Sequence, residues 1–250
     1  MIMRNSYFWS RTITLIVFLC CTSITKSQEL DSVPDFSYKT WTYNNLVIPY
    51  REAMIHEGYY EREPALVIYL RGGPKRGNDN SVHMSEKGIG VIANYLEKKE
   101  INAIMIVPQC PEHLTWGTPT NPMLYSLIEY YKNHHNVNPK RIYLLGGSMG
   151  GTGTWQMTAE YPNLFAAVMP VAGNPEGIDI ERMSHTPVYT IMGAMDNLIP
   201  MQPSIAIITA LKENNAEALI DIESKFSHVK ACTDSYTEER LDWLFGHRRK

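Results

Sequence analysis

The chain has 250 residues, of which 44% are hydrophobic and 20% are charged, and this composition suits one globular domain with a full-sized core. Its formal net charge is −3, and it becomes −6 if a predicted leader, which carries three basic residues and no acid, is removed. An acidic surface of this kind argues against nucleic acid and against an anionic membrane as partners.

The first residues have the order of a secretory signal. Two arginines precede an apolar run, Ile13 to Cys21, and small and polar residues follow. The run is too short to span a membrane. We therefore predict a signal peptide over residues 1–27, cleavage before Gln28, and a secreted or periplasmic protein with no stable membrane span. Bulky residues before Cys20 argue against the alternative, a lipid anchor on Cys20 or Cys21.

Apolar strand patterns then alternate with helix patterns. Strands are predicted at 38–43, 46–50, 65–70, 103–107, 141–145, 165–171, 187–192 and 218–223. Helices are predicted at 89–96, from Asn121 as the cap to about 135, and at 154–161, 201–213 and 237–245. This alternation indicates an α/β fold, a parallel sheet with helices on both faces, in one domain of residues 28–250. In such sheets the chemistry lies beyond the carboxyl ends of the strands.

The spacing Gly146-x-Ser148-x-Gly150 stands between a strand pattern and a helix pattern, as in a nucleophile elbow. A serine on so sharp a turn takes a strained backbone conformation, and larger residues two positions away would collide. We predict Ser148 as a nucleophile and the Met149 N–H as a donor to an oxyanion. The alternative is a glycine-rich turn that only packs closely.

A serine nucleophile needs a base, and the base needs an acid. Asp196 and His228 follow strand patterns, in the chain order that this kind of site uses. Their alternatives are a turn cap for Asp196 and a surface histidine for His228. Four other histidines are weaker candidates, because they precede a strand, end a helix or belong to a basic tail expected to be solvated: His134, His135, His185 and His247.

The second oxyanion donor is expected in the loop after the 65–70 strand. We favour the Gly73 N–H, with Gly72 as the fallback, against an ordinary glycine turn. Trp116 is a candidate wall of the substrate site, and plain packing is the alternative.

The two cysteines of the mature part, Cys110 and Cys232, form either one disulfide or two buried thiols. No Cys/His cluster in the sequence indicates a metal site.

Four stretches together resemble the α/β-hydrolase superfamily: residues 71–80, 108–111, 146–155 and 161–167. More narrowly, they resemble one branch of it, the secreted bacterial serine esterases often labelled predicted peptidases, near the feruloyl-esterase-like and phospholipase/carboxylesterase families. The resemblance runs from about Leu46 to the C-terminus. It implies an eight-stranded, mostly parallel sheet with little or no lid, a Ser148, Asp196 and His228 triad, and no metal or organic cofactor.

The loop that should carry the second oxyanion donor departs from the family pattern. Arg71 stands where the family has histidine, and Pro74 replaces a small residue. We expect Arg71 to pair with Asp79; the alternative is contact with an acidic group of the substrate.

The predicted function is carboxylic-ester hydrolysis through an acyl-enzyme. The substrate is a small-molecule or polysaccharide ester, and removal of acetyl or feruloyl groups from polysaccharide rests on family analogy alone. A peptidase of the same fold and a non-catalytic binding protein that kept the fold remain alternatives. The sequence leaves the oligomeric state open.

Overall fold

The structure is a computed structural model that describes residues 34–56, 63–118 and 120–250. The predicted signal peptide lies outside these residues. None of the helices in the described part is long and apolar enough to cross a bilayer.

The described residues form one eight-stranded sheet in the order β1-β2-β4-β3-β5-β6-β7-β8. The strands are β1 (Ser37–Tyr43), β2 (Leu46–Ile55), β3 (Ala65–Leu70), β4 (Ala103–Pro108), β5 (Ile142–Gly147), β6 (Ala167–Val171), β7 (Val188–Gly193) and β8 (Ala218–Glu223). β2 pairs antiparallel with β1 and β4, and all other neighbours are parallel. This is the mostly parallel sheet that the resemblance implied.

The continuous apolar runs of the central strands are explained by burial on both faces of the sheet. Along β3, the side chains of Ala65, Val67 and Tyr69 enter one core layer. Those of Leu66, Ile68 and Leu70 enter the layer on the opposite face. Successive strand residues point to opposite faces, so an unbroken hydrophobic run can serve both layers.

Seven helices of the described residues cover the two faces: α1 (Lys87–Lys98), α2 (Thr120–His134), α3 (Met149–Glu160), α4 (Ile180–Met183), α5 (Gln202–Glu213), α6 (His228–Asp234) and α7 (Glu238–Gly246). Buried residues of α1, α6 and α7 belong to one core layer, and those of α2, α3 and α5 belong to the other. The prediction of helices on both faces is confirmed. Among the described residues, the four-residue α4 is the helix that stands between β6 and β7.

Several predicted boundaries are wrong. β2 continues to Ile55 because the polar Glu52 is buried, where it accepts a hydrogen bond from Tyr131. Helix α2 begins at Thr120, so Asn121 lies inside the helix and is not its cap. Helices α4 and α6 were not predicted, since four and seven residues are too short for a clear hydrophobic period.

The C-terminal tail is anchored, contrary to the expectation that it is solvated. The His247 ring contacts the Trp243 carbonyl at 2.7 Å and the Glu217 carboxylate at 2.8 Å. The Tyr143 hydroxyl donates to the His247 carbonyl at 2.7 Å. The tail therefore closes the amino-terminal edge of the sheet, away from the strand ends that carry the candidate site.

Candidate active site

Ser148 occupies the turn between β5 and α3, with φ 58° and ψ −120°. This conformation is unfavourable for a residue with a side chain, and the surrounding contacts enforce it. A Cβ added to Gly150 would lie 1.8 Å from the Leu70 carbonyl oxygen, and one added to Gly146 would lie 2.5 Å from the Gly150 oxygen. The predicted strained turn, and the reason for its glycines, are both confirmed.

The structure brings Ser148, Asp196 and His228 together in one hydrogen-bonded line. His228 Nδ1 lies 2.7 Å from Asp196 Oδ2, and His228 Nε2 lies 2.7 Å from Ser148 Oγ. A carboxylate only accepts, so the proton belongs on Nδ1, and Nε2 is left to accept from the serine hydroxyl. This tautomer is the one that a general base needs.

Asp196 is held by the backbone of its own loop. Its Oδ1 accepts from the Leu198 N–H at 2.8 Å and from the Ile199 N–H at 2.9 Å, and its side chain is fully buried. These bonds fix the direction in which Oδ2 points.

The loops after β7 and β8 are tied together by the backbone. The Met195 N–H donates to the Phe226 carbonyl at 3.0 Å, and a Cβ on Gly193 would lie 2.3 Å from that same oxygen. Ser227 then caps α6, so His228 is its first residue. Close backbone approach at Gly193 thus sets the separation of the acid and the base.

Two candidate oxyanion donors adjoin Ser148. The Ser148 N–H is already engaged with the Val171 carbonyl at 2.9 Å, whereas Met149 is the first residue of α3, where N–H groups have no partner within the helix. A Cβ on Gly72 would lie 3.2 Å from the Ser148 Cβ, and one on Gly73 would lie 3.6 Å from the Met149 sulfur. The Gly72–Gly73 backbone therefore faces the turn that carries the serine.

Gln109 holds the loop after β3 in place. Its Oε1 accepts from the Asn80 N–H at 2.7 Å, and its Nε2 donates to Asp79 Oδ1 at 2.8 Å. Asp79 also accepts from the Ser81 and Val82 N–H groups, and these bonds lower the pKa of its carboxyl. Residues 71–80 and 108–111, two of the stretches that resemble the family, are therefore joined to each other by hydrogen bonds of Gln109.

The expected pairing of Arg71 with Asp79 is wrong. Arg71 Nε lies 3.3 Å from Glu86 Oε2, and both side chains are largely buried. Burial raises the pKa of Glu86, and the Arg71 charge opposes this rise. Asp79 Oδ1 instead accepts from the Ser81 and Val82 N–H groups and from Gln109. The sequence did not point to Glu86, because it lies in an irregular segment just before α1.

Trp116 lies beside the site but is 2% exposed. The Trp116 indole N–H donates to the Arg71 carbonyl at 2.8 Å. A Cβ added to Gly153 would lie 2.3 Å from the Trp116 Cβ. Trp116 therefore packs α3 against the loop that begins at Arg71. Trp116 also lines the neighbouring cavity, so its part in binding a substrate stays a prediction.

Cys110 and Cys232 are both buried free thiols. Burial raises the pKa of each thiol to about 12, so both are protonated at neutral pH and are poor nucleophiles. Cys232 lies directly beneath Gly147, where an added Cβ would come within 3.3 Å of its sulfur.

A cavity of about 660 Å³ opens beside the serine turn. Met149 and Thr152 line its near end, and Gln156 and Glu160 continue along α3. Among the described residues, no group of three or more His, Cys, Asp or Glu side chains is placed to hold a metal ion.

The remaining predicted histidines lie elsewhere. His185 and His247 line a separate cavity at the amino-terminal edge of the sheet, and His134 contacts the Tyr130 carbonyl at the end of α2.

Partial relatives among known proteins include three that carry esterase or depolymerase names. Acetylxylan esterase A from Emericella nidulans is 40% identical over 61 residues, which is 24% of this chain and 20% of that protein. Poly(3-hydroxyalkanoate) depolymerase C from Paucimonas lemoignei is 34% identical over 65 residues, 26% of this chain and 16% of that protein. The crystal structure of a thermostable esterase superposes with a TM-score of 0.78 at 26% identity, covering 86% of this chain and 64% of that one.

Each of these alignments covers less than two thirds of the relative's own length. The sequence pattern of the Dienelactone hydrolase family matches residues 95–240, which is more than half of the chain and includes Ser148, Asp196 and His228. The fold, the strand-to-helix serine turn and this match agree: the chain belongs to the dienelactone hydrolase family.

Proposed function

We propose that the protein is a serine hydrolase of carboxylic esters, with Ser148 as nucleophile, His228 as general base and Asp196 as the acid that orients it. The single observation that carries the proposal is the continuous line of two 2.7 Å hydrogen bonds through these side chains. The esterase names among the relatives add support for an ester as the substrate.

In the first step, His228 Nε2 takes the Ser148 proton as Oγ attacks the ester carbonyl. Asp196 stabilises the imidazolium without taking its proton. The Met149 and Gly73 N–H groups donate to the oxyanion, and the N-terminus of α3 adds its positive potential.

In the second step, His228 gives its proton to the departing alcohol, which leaves an ester of Ser148. The base then takes a proton from water, the hydroxide attacks this ester, and the carboxylic acid departs. Ser148 regains its proton from His228, so no cofactor enters the balance.

The substrate and the location are inferred from likeness and from the sequence. The name of acetylxylan esterase A supports an acetylated polysaccharide as the substrate, and feruloyl as another acyl group rests on the resemblance in sequence alone. The signal pattern in residues 1–27 supports export to the periplasm or the medium, with residues 28–250 as the catalytic domain.

The test is hydrolysis of p-nitrophenyl acetate by the purified protein and by Ser148→Ala. We expect turnover by the first and a loss of at least about 10³-fold in kcat for the second, because the acyl-enzyme cannot form. The matched control is Ser37→Ala, which removes an exposed serine hydroxyl from the edge strand β1, with three strands between it and β5, and leaves the proposed triad in place.

The same assay with p-nitroanilide amides separates the alternatives. If the protein turned over amides faster than esters, the peptidase function would be favoured over the esterase function. Absence of Ser148-dependent turnover of either, in a folded protein, would favour a binding protein that kept the fold.

A further inference from the structure

The cavity beside the serine turn is an elongated groove on the outer side of α3. It begins at Met149, the residue after the proposed nucleophile, and ends at Glu160, the last residue of the helix. At 1.5 Å per residue these ends are about 16 Å apart along the helix axis. The groove is therefore longer than an acetyl group requires.

Polar side chains at fixed positions line the groove. Asn121 Nδ2 donates to Glu160 Oε2 at 2.7 Å, and Arg182 donates to the Glu160 carbonyl at 2.9 Å. Glu176 and Asp179 also line the groove, so with Glu160 its lining carries three carboxylates and, with Arg182, one guanidinium. This excess of negative charge favours uncharged ligands over anionic ones.

One polar atom of the groove lacks a partner. Asn121 is 1% exposed, and none of the described residues donates a hydrogen bond to its Oδ1. A buried acceptor without a donor costs free energy, and a ligand hydroxyl in the groove would satisfy it once the Asn121 side chain turns toward the groove.

We propose that this groove binds the alcohol part of the substrate as an extended, uncharged sugar chain, whose ester lies at Ser148 and whose far end reaches Glu160. Sugar hydroxyls both donate and accept, which suits a lining of carboxylates and amides. The volume of about 660 Å³ lies within the range of small-ligand sites and suits a short oligosaccharide. This inference rests on the proposed esterase function.

The test compares kcat/KM for two substrates, an acetylated xylo-oligosaccharide and p-nitrophenyl acetate, which is too short to reach the groove. For Gln156→Ala, which removes an amide halfway along the groove, we expect the ratio of oligosaccharide to p-nitrophenyl acetate to fall about fivefold. Glu176→Lys should raise by roughly threefold the preference for oligosaccharides that carry a uronic acid.

The control is Glu213→Lys, the same charge change at an exposed position at the end of α5 that is not part of the groove lining. It should leave the substrate ratio unchanged. An unchanged ratio in Gln156→Ala and Glu176→Lys would overturn the proposal, and so would a wild-type protein that cleaves p-nitrophenyl acetate but not the oligosaccharide.

A second measurement is independent of turnover. Calorimetric titration of Ser148→Ala with unacetylated xylotetraose should show binding that weakens about fivefold when Gln156→Ala is added. If the sugar binds but the wild-type protein turns over no ester, the proposed esterase function is refuted and the sugar-binding role of the groove stands. If the wild-type protein turns over the ester but the sugar does not bind, the sugar-binding role of the groove is refuted and the esterase function stands.

Discussion

Replacement of Gly150 by alanine tests whether the packing of one helix turn onto β3 sets the geometry of the serine. The new Cβ would lie 1.8 Å from the Leu70 carbonyl oxygen, whereas ordinary contact begins at 3.4 Å. The first turn of α3 must therefore move away from β3 by about 1.6 Å, the difference between these two distances. Leu70 itself cannot yield easily, because β3 is buried on both faces.

The displacement carries Ser148 and Met149 with it. A misplacement of about 1 Å costs on the order of 100-fold in rate, so kcat/KM for p-nitrophenyl acetate should fall by at least about that factor. Overpacking of this kind also costs about 1–3 kcal/mol in the free energy of unfolding, measured by urea titration. Circular dichroism would show that the variant remains folded.

Gly246→Ala is the matched control. Gly246 ends α7, and a Cβ there would meet nothing within 4 Å. This variant should keep full activity and unfold with the same or slightly higher free energy. A Gly150→Ala protein that keeps its activity within about threefold would refute the reasoning, because the serine turn would then tolerate movement of α3.

Three other predictions follow from the contacts. Asp196→Asn should lower kcat on p-nitrophenyl acetate by about 10³- to 10⁴-fold without unfolding the protein, since an amide stabilises the wrong His228 tautomer. Glu86→Gln should lower the free energy of unfolding in urea by about 3 kcal/mol, because it leaves Arg71 largely buried without a counter-charge; the control Asp234→Asn breaks an exposed pair and should cost under about 1 kcal/mol. Burial lowers the pKa of His83 to about 4, so the unfolded chain binds its proton first, and stability should be lost as pH falls from about 6.5 to about 4. The urea midpoint should show this loss, and His83→Gln should flatten it; an equally steep loss in that variant would refute the assignment to His83.

Much of the fold follows from the sequence because parallel strands buried on both faces leave a plain pattern. The runs at 65–70 and 103–107 coincide with β3 and β4 almost to the residue. The sharp turn at Ser148 was also predictable, because glycines on both sides of a serine between a strand and a helix are typical of such a turn. The order of the acid and base loops then pointed to Asp196 and His228, which the structure brings within hydrogen-bonding distance of each other.

The contacts around the site were less predictable, because they join segments far apart in the chain. Glu86 lies in no regular element, so only its position in space shows that it, and not Asp79, faces Arg71. Buried Gln109 links two loops through side-chain bonds that leave no periodic pattern. Trp116 is typical of a substrate wall by residue type, but its depth in the core depends on the absence of a side chain at Gly153.

The measurement that tests the central claim most directly is covalent labelling of the purified protein with a fluorophosphonate probe, with the site mapped by tandem mass spectrometry. A serine polarised by His228 should displace fluoride and carry one phosphonyl group on Ser148. Ser148→Ala should not label, and His228→Ala should label far more slowly. A folded wild-type protein that does not label, or that labels at another residue, would contradict the assignment of Ser148 as the nucleophile.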